Sequence, residues 1–125
     1  MRVVVQRAKN SSVIVNNTCV GKISSGLVLL VAFTDSDTLE TINYMVKKVI
    51  GLRIFPDENG VMNKNILDYG GEILSISQFT LYGDATKGNR PSYIKAAKGE
   101  IAKPMYEKFN ELLSNYVKVD TGIFG

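Results

Sequence analysis

The chain has 125 residues with 45% hydrophobic and 22% charged side chains, and its formal net charge at pH 7 is +3. These values are typical of one folded domain and exclude a disordered chain. The absence of histidine excludes Ser-His-Asp and Cys-His catalysis, and with Cys19 as the single cysteine it also excludes an ordinary zinc site and an intrachain disulfide. Because the N-terminus lacks the apolar core of a signal peptide, the expected location is the cytoplasm.

The first third of the chain is predicted to be β-structure. Turns are expected near residues 9–11 and at Asn16-Asn17. The last apolar run is too short to span a bilayer and predicts a central strand buried on both faces. The predicted strands comprise residues 1–8, 12–15, 20–23 and 27–33.

A helix is predicted next, because apolar residues recur at helical spacing up to Gly51. Asp37, followed by Glu40, has the pattern of a capping box at its start. A short strand over 52–55 and a turn over 56–60 follow, whereas residues 62–68 have no clear pattern. The apolar positions of the helix are Leu39, Ile42, Val46, Val49 and Ile50.

The stretch 73–84 is the best candidate for a site. It begins as an alternating strand and ends in small polar residues, so that Ser77, Gln78 and Thr80 offer two hydroxyls and a carboxamide at one strand end. The plainer alternative is that these side chains only satisfy backbone groups at the end of a strand.

A basic segment over 85–98 follows directly, and Gly88 and Pro91 favour a loop for its first half. Its cations are either solvated or in contact with phosphates of a nucleic acid. They are Lys87, Arg90, Lys95 and Lys98.

The rest of the chain predicts a helix and a last strand. Apolar residues from Ile101 to Tyr116 recur on one helical face, with Pro104 in or near the first turn. Residues 117–119 would form the strand. Together the elements predict an α+β fold in one compact domain.

Five segments of the sequence resemble the D-aminoacyl-tRNA deacylases, in the family's order and over essentially the whole chain. The resemblance implies a mixed or antiparallel, barrel-like β-sheet with helices packed on one side, a three-layer β-β-α arrangement. The segments are Gln6-Arg7, Gly51-Leu52-Arg53-Ile54-Phe55, Ser77-Gln78-Phe79-Thr80-Leu81, Gly88-Asn89-Arg90-Pro91-Ser92 and Thr121-Gly122-Ile123-Phe124-Gly125.

The resemblance also implies an activity. Members are cytoplasmic homodimers, with the active site at the subunit interface, that hydrolyse the ester between tRNA and a D-amino acid, or glycine mischarged on alanine tRNA. They use no metal and no organic cofactor, and the 2′-hydroxyl of the terminal adenosine assists the reaction. Arg7 would lie under the active site and brace the loop that selects chirality.

Residues 77–80 suit such chemistry on physical grounds. An aminoacyl ester is already activated, so orientation and donors aimed at the developing oxyanion can supply much of the acceleration. The candidate donors are the backbone N–H groups of Phe79 and Thr80, while Ser77 and Gln78 would hold the terminal ribose or base and the Phe79 ring would line the pocket. Thr80 could instead be a covalent nucleophile, but no histidine is present to activate it, so we prefer a positioning role.

The family continues beyond the Thr-Gly-x-Phe-Gly segment to a Gly-Pro-Val-Thr motif, whose cis-proline peptide enters the partner subunit's pocket and excludes L-amino acids. The prolines here are Pro56, Pro91 and Pro104, and none follows a glycine. We therefore expect residues 1–125 to be one deacylase-like domain without this segment. Either selectivity or activity is lost, or the sequence is shorter than the natural product, which we favour because a missing strand would expose a sheet edge.

Two other functions stay open. The basic segment could serve a non-catalytic module that binds tRNA or DNA, or the sheet could belong to a scaffold that merely dimerises. Release of the amino acid from D-tyrosyl-tRNA distinguishes the enzyme from both.

Overall fold

The chain forms six strands, three α-helices and one 3₁₀ helix. In the computed structural model, which describes residues 1–125, the strands are β1 (Arg2–Val15), β2 (Thr18–Ala32), β3 (Phe55–Pro56), β4 (Met62–Lys64), β5 (Glu72–Ser77) and β6 (Val119–Thr121). The helices are α1 (Leu39–Gly51), α2 (Ile66–Tyr69), α3 (Gly99–Ser114) and the 3₁₀ helix Phe79–Tyr82. One mixed sheet has the order β1-β2-β5-β6, in which β1 is antiparallel to β2 and the other pairs are parallel, while β3 and β4 form a separate hairpin.

The first two strands form one long hairpin. The turn predicted near residues 9–11 is wrong, because the ladder with β2 continues in unchanged register past Asn10, although the φ of Asn10 is 49°. The strands predicted separately at 20–23 and 27–33 are likewise parts of β2. The turn at Asn16 and Asn17 is confirmed, since φ values of 49° and 63° are those of a two-residue hairpin turn.

The core lies between one face of the sheet and the helices. Leu27, Leu29 and Val31 of β2 point into it and are at most 1% exposed. The opposite face of β2 is only half-buried at Val28 and Leu30, so burial on both faces was wrongly predicted. The reason is that the helices contribute to a single core cluster on one side of the sheet. The predicted α+β class, with its mixed sheet, is confirmed.

The predicted end of α1 at Gly51 is confirmed, but its capping box is not the predicted one. Thr38 is the N-cap: its Oγ1 accepts from the Thr41 amide, and its own amide donates to Thr41 Oγ1. Asp37 lies one residue too early to cap the helix, and its carboxylate instead pairs with the Met1 α-amino group at 2.7 Å. Leu39 is 54% exposed, unlike the other apolar positions predicted for this helix.

The third helix begins earlier than expected. The Ala102 amide donates to the Lys98 carbonyl at 2.8 Å, which places Pro104 in the second turn rather than in or near the first. The predicted apolar face is confirmed at Phe109 and Leu113, but Ile101 is 39% exposed and the fully packed face is rotated toward Ala102 and Tyr106. That face comprises Ala102, Tyr106, Phe109 and Leu113.

The far end of the long hairpin folds back against β6. The Lys22 amide donates to the Asp120 carboxylate at 2.9 Å. Gly21 lies so close to the other edge of the sheet that a Cβ there would be 2.5 Å from the Thr121 carbonyl oxygen. Only glycine permits this approach.

Candidate active site

The candidate site lies where β5 ends. Strand β5 stops at Ser77, which is opposite Val31 of β2, and the Gln78 amide donates to the Val31 carbonyl at 2.8 Å. Immediately afterwards the chain turns into the 3₁₀ helix. The polar residues predicted from the sequence therefore lie at the carboxyl ends of two parallel strands.

Two backbone donors are free at this strand end. The amides of Phe79 and Thr80 are the first two of the 3₁₀ helix and make no hydrogen bond within the chain, whereas the next amide, that of Leu81, donates to the Gln78 carbonyl at 3.2 Å. Helix N-termini leave such N–H groups without intrahelical partners and favour negative charge beside them. The pair can therefore receive an oxyanion or a carbonyl oxygen.

The Thr80 hydroxyl has a donor as its neighbour. The Gln78 side-chain amide donates to Thr80 Oγ1, and no carboxylate or amine contacts that oxygen. A nucleophilic hydroxyl needs an adjacent base to take its proton. The contact with Gln78 does the opposite, because it occupies a lone pair of the oxygen and leaves the hydroxyl proton free to be donated.

An apolar cleft of about 450 Å³ adjoins the strand end. Ser77, Gln78 and Phe79 line one side, and Lys98 lies at the start of α3 on another. The Phe79 ring is 57% exposed and packs edge-on against Tyr93, with ring centroids 5.3 Å apart. The cleft thus combines a mostly hydrophobic lining with a few polar groups, as small-molecule sites do. The remaining lining residues are Val31, Ala32, Phe33, Tyr93, Ala96, Ala97, Gly99, Ala102, Phe124 and Gly125.

The basic residues predicted to bind nucleic acid are Lys87, Arg90, Lys95 and Lys98. All four are exposed and none forms an ion pair, although only Lys98 lines the cleft. Their segment is held at both ends, because Asp84 pairs with Ser92 and the Thr34 hydroxyl donates to the Lys95 carbonyl at 2.6 Å. The Thr86 amide, which donates to the Asp84 carboxylate, lowers the pKa of that group.

Arg7 is not part of this constellation within one subunit. It pairs with Leu27 of β2, whereas Ser77 pairs with Val31 of the same strand. These two positions of β2 are four residues apart, a distance of about 13 Å along a strand. Its guanidinium donates to the Ile54 carbonyl at 3.1 Å, toward the β3–β4 hairpin. Within one subunit Arg7 therefore lies apart from residues 77–80, and its place under the active site stays a prediction.

Tyr106 was not predicted from the sequence, although it holds α3 against β5 next to the site. Its hydroxyl donates to the Ser75 carbonyl at 2.6 Å and thereby ties α3 to β5, two residues before the strand ends. Burial raises the pKa of Tyr106. The signal was available, because Tyr106 lies four residues after Ala102 and three before Phe109 on one helical face.

No helix is long and apolar enough to cross a membrane. No group of three or more aspartate, glutamate or cysteine side chains is arranged to hold a metal ion.

Solved structures share this fold. A c-Myc DNA unwinding element binding protein superposes with a TM-score of 0.93 and 36% identity, over 100% of this chain and 86% of the other. A probable eukaryotic D-amino acid tRNA deacylase superposes with a TM-score of 0.80 at 18% identity, over 98% of this chain and 88% of the other, and shows the fold alone.

The sequence comparisons are more specific. A D-aminoacyl-tRNA deacylase of Geobacillus sp. (strain WCH70) is 56% identical over 126 aligned residues, which cover 100% of this chain and 83% of the relative. One of Bacteroides thetaiotaomicron is 53% identical and is covered to 85%. The family model for D-Tyr-tRNA(Tyr) deacylase matches residues 4–125. The chain therefore belongs to the D-Tyr-tRNA(Tyr) deacylase family.

Proposed function

We propose that this protein is an editing hydrolase that cleaves the ester linking a D-amino acid, or glycine mischarged on alanine tRNA, to tRNA. The observation that carries the proposal is the pair of free amides at Phe79 and Thr80 beside an apolar cleft, in a chain of this family. The substrate supplies an activated ester, and the protein supplies position and hydrogen-bond donors.

The proposed mechanism is electrostatic. As water attacks the ester carbonyl, negative charge develops on its oxygen, and the amides of Phe79 and Thr80 donate to that oxygen. Losing one such donor typically lowers kcat by about a hundredfold to a thousandfold. The 2′-hydroxyl of the terminal adenosine assists, as the family resemblance implies. Ser77 and Gln78 hold the ribose or base, and the Phe79 ring limits the pocket.

Thr80 acts by position in this proposal, because its only side-chain partner is a donor. Thr80→Ala should lower kcat while tRNA binding stays intact, and no acyl-enzyme should accumulate. The matched control is Thr18→Ala, which removes an exposed hydroxyl at the far end of the hairpin. Complete loss of turnover in Thr80→Ala, together with an acyl-enzyme trapped in the wild type and identified by mass spectrometry, would establish the covalent alternative instead.

The loop of residues 85–98 is proposed to contact phosphates of the tRNA. Its cations are exposed and free of carboxylate partners, so they can replace counterions on a polyanion. Charge reversal at Arg90 and Lys95 should weaken tRNA binding and flatten its dependence on salt. The control is Lys47→Glu, which reverses an exposed positive charge on α1, outside the loop. Unchanged binding would remove the loop from the proposal.

We further propose a cytoplasmic homodimer in which the sheet face opposite the helices meets its copy. That face carries apolar side chains that the chain itself leaves partly uncovered, among them Val4, which is 46% exposed, and the half-buried Val28, Leu30 and Ile76. Such uncovered apolar area is typical of an interface. Analytical ultracentrifugation measures the mass directly, and Val4→Lys should shift it toward the monomer.

The deciding experiment compares D-tyrosyl-tRNA with L-tyrosyl-tRNA. Selective release of D-tyrosine supports the hydrolase. A nucleic-acid-binding module without catalysis is the second candidate, and it is favoured by the similarity to a protein named for binding a DNA unwinding element. Binding of either tRNA without release of the amino acid would support that second candidate.

A further inference from the structure

We propose that Arg2 is a positioning residue that fixes the 3₁₀ helix of the site from its C-terminal end. This inference rests on the proposed hydrolase function, because the 3₁₀ helix carries the proposed oxyanion donors. Arg2 itself does not line the cleft.

Two contacts join Arg2 to the 3₁₀ helix. Its Nη1 donates to the Leu81 carbonyl at 2.7 Å, and its guanidinium carbon lies 4.5 Å from the centroid of the Tyr82 ring. Tyr82 is 7% exposed, so the ring offers a fixed surface. Both contacts bridge about eighty residues of sequence, which is why inspection of β1 alone could not identify them.

The 3₁₀ helix needs such support because it has little of its own. It comprises four residues, and the side chain of its N-cap, Gln78, makes no capping bond. Short 3₁₀ segments have poor hydrogen-bond geometry and leave their last carbonyls without partners. Arg2 supplies a charged donor to one of those carbonyls, at the end of the helix where a cation is favourable.

The link to the reaction is geometric. Arg2 pairs with Ala32 of β2, next to the Val31 that faces Ser77, so the sheet holds the guanidinium in register with the strand end. When the C-terminal end of so short a helix is fixed, the direction of its first two amides is fixed as well. Without Arg2 those amides should spread over several orientations, and a misplacement of about 1 Å can cost roughly a hundredfold in rate.

The test uses Arg2→Met, which keeps the aliphatic stem and removes the donor, and Arg2→Lys, which keeps the charge over the Tyr82 ring. Arg2→Met should lower kcat for D-tyrosyl-tRNA on the order of tenfold to a hundredfold with KM changed less than about threefold, and Arg2→Lys should recover part of the loss. Lys9→Met, which removes an exposed cation in the middle of β1, seven residues from Arg2, is the control and should leave both constants unchanged.

A second measurement does not depend on activity. The Leu81 and Gly83 amides form the turn bonds of the 3₁₀ helix, to the carbonyls of Gln78 and Thr80. Their hydrogen exchange, followed by NMR, should become about tenfold faster in Arg2→Met and stay unchanged in Lys9→Met.

Each other outcome overturns a separate claim. Unchanged exchange in Arg2→Met would overturn the positioning role even if activity fell. A raised KM with kcat unchanged, or an equal effect of Lys9→Met, would mean that Arg2 merely attracts tRNA. If the wild type released no amino acid while exchange still accelerated in Arg2→Met, the proposed function would fail and the structural role of Arg2 would stand.

Discussion

Replacing Tyr106 by phenylalanine tests how α3 supports the end of β5. The change removes one buried oxygen and leaves the ring in place, so any effect belongs to the hydrogen bond from the hydroxyl to the Ser75 carbonyl at 2.6 Å. Tyr106 is 3% exposed and Ser75 is fully buried, so water does not replace the lost donor without rearrangement.

The expected loss of stability depends on which hydrogen bonds the Ser75 carbonyl keeps in the variant. The Ser75 carbonyl also accepts the Gly122 amide at 3.2 Å, so it does not become an unsatisfied buried group in the variant. The expected loss is that of one ordinary hydrogen bond, about 1 kcal/mol of unfolding free energy, rather than the larger penalty of an orphaned carbonyl. In a domain of this size the loss should lower Tm by roughly 3–5 °C.

Raising the pH makes the test sharper. Burial raises the pKa of Tyr106 above its ordinary 10.0, so the native state holds the phenolic proton more tightly than the unfolded state. This contribution is complete below pH 10 and is lost as the pH rises through the folded-state pKa. Phenylalanine does not titrate, so the stability gap between wild type and variant should narrow above pH 10.

Urea unfolding followed by far-UV circular dichroism at pH 8 and at alkaline pH measures this gap. Tyr116→Phe is the control, because Tyr116 is 48% exposed. A gap near zero at pH 8 would refute the hydrogen bond, and one above about 3 kcal/mol would show that the Gly122 amide does not satisfy the carbonyl. A gap that stays constant with pH would refute the raised pKa.

Two further predictions concern packing and capping. Gly21→Ala should destabilise the protein by about 1–3 kcal/mol, because the new methyl group would be 2.5 Å from the Thr121 carbonyl oxygen. Gly51→Ala should instead stabilise it by about 0.5–1 kcal/mol, because a methyl group at that position of α1 meets open space. Thr38→Ala should lower the free energy of unfolding by about 1 kcal/mol because it removes the N-cap of α1, and Glu40→Gln, in the first turn, should lower it by less. Chemical denaturation measures all four variants. Equal effects of the two glycine variants, or of the two α1 variants, would contradict the structure.

The sequence predicted correctly those elements whose conformation is determined by neighbouring residues rather than by contacts distant in sequence. Asn16 and Asn17 adopt positive φ with little strain, which predicts the turn. The helical spacing of apolar residues before Gly51 likewise predicts α1. The predicted break near Asn10 failed because cross-strand pairing with β2 outweighs the turn preference of one residue. The choice of Asp37 over Thr38 failed because either residue can cap, and the Met1 α-amino group draws the aspartate away.

The candidate site was predicted in part for the same reason. Ser77, Gln78 and Phe79 are consecutive, so a strand that becomes polar at its end already brings them to one place. Lys98 was named from the sequence only as a member of the basic segment, and the fold brings it to the same cleft at the start of α3. Arg2 escaped prediction because its role depends on a contact with Leu81 across the sheet, which only the register of β1 and β2 reveals.

The topology explains why this strand end, among several, carries the site. β2 and β5 are parallel neighbours joined through α1, the β3–β4 hairpin and α2, and their carboxyl ends lie at one edge of the sheet, at Ala32 and Ser77. Ligands of α/β sheets commonly bind beyond such carboxyl ends, where the strands leave backbone groups and loops diverge. Here the chain after Ser77 turns at once into a 3₁₀ helix, so its first two amides stay unpaired at that edge, and Gly99 at the start of α3 lines the adjoining cleft. The polar residues of the strand end therefore matter less as reactive groups than as the point where free donors and an apolar cleft adjoin.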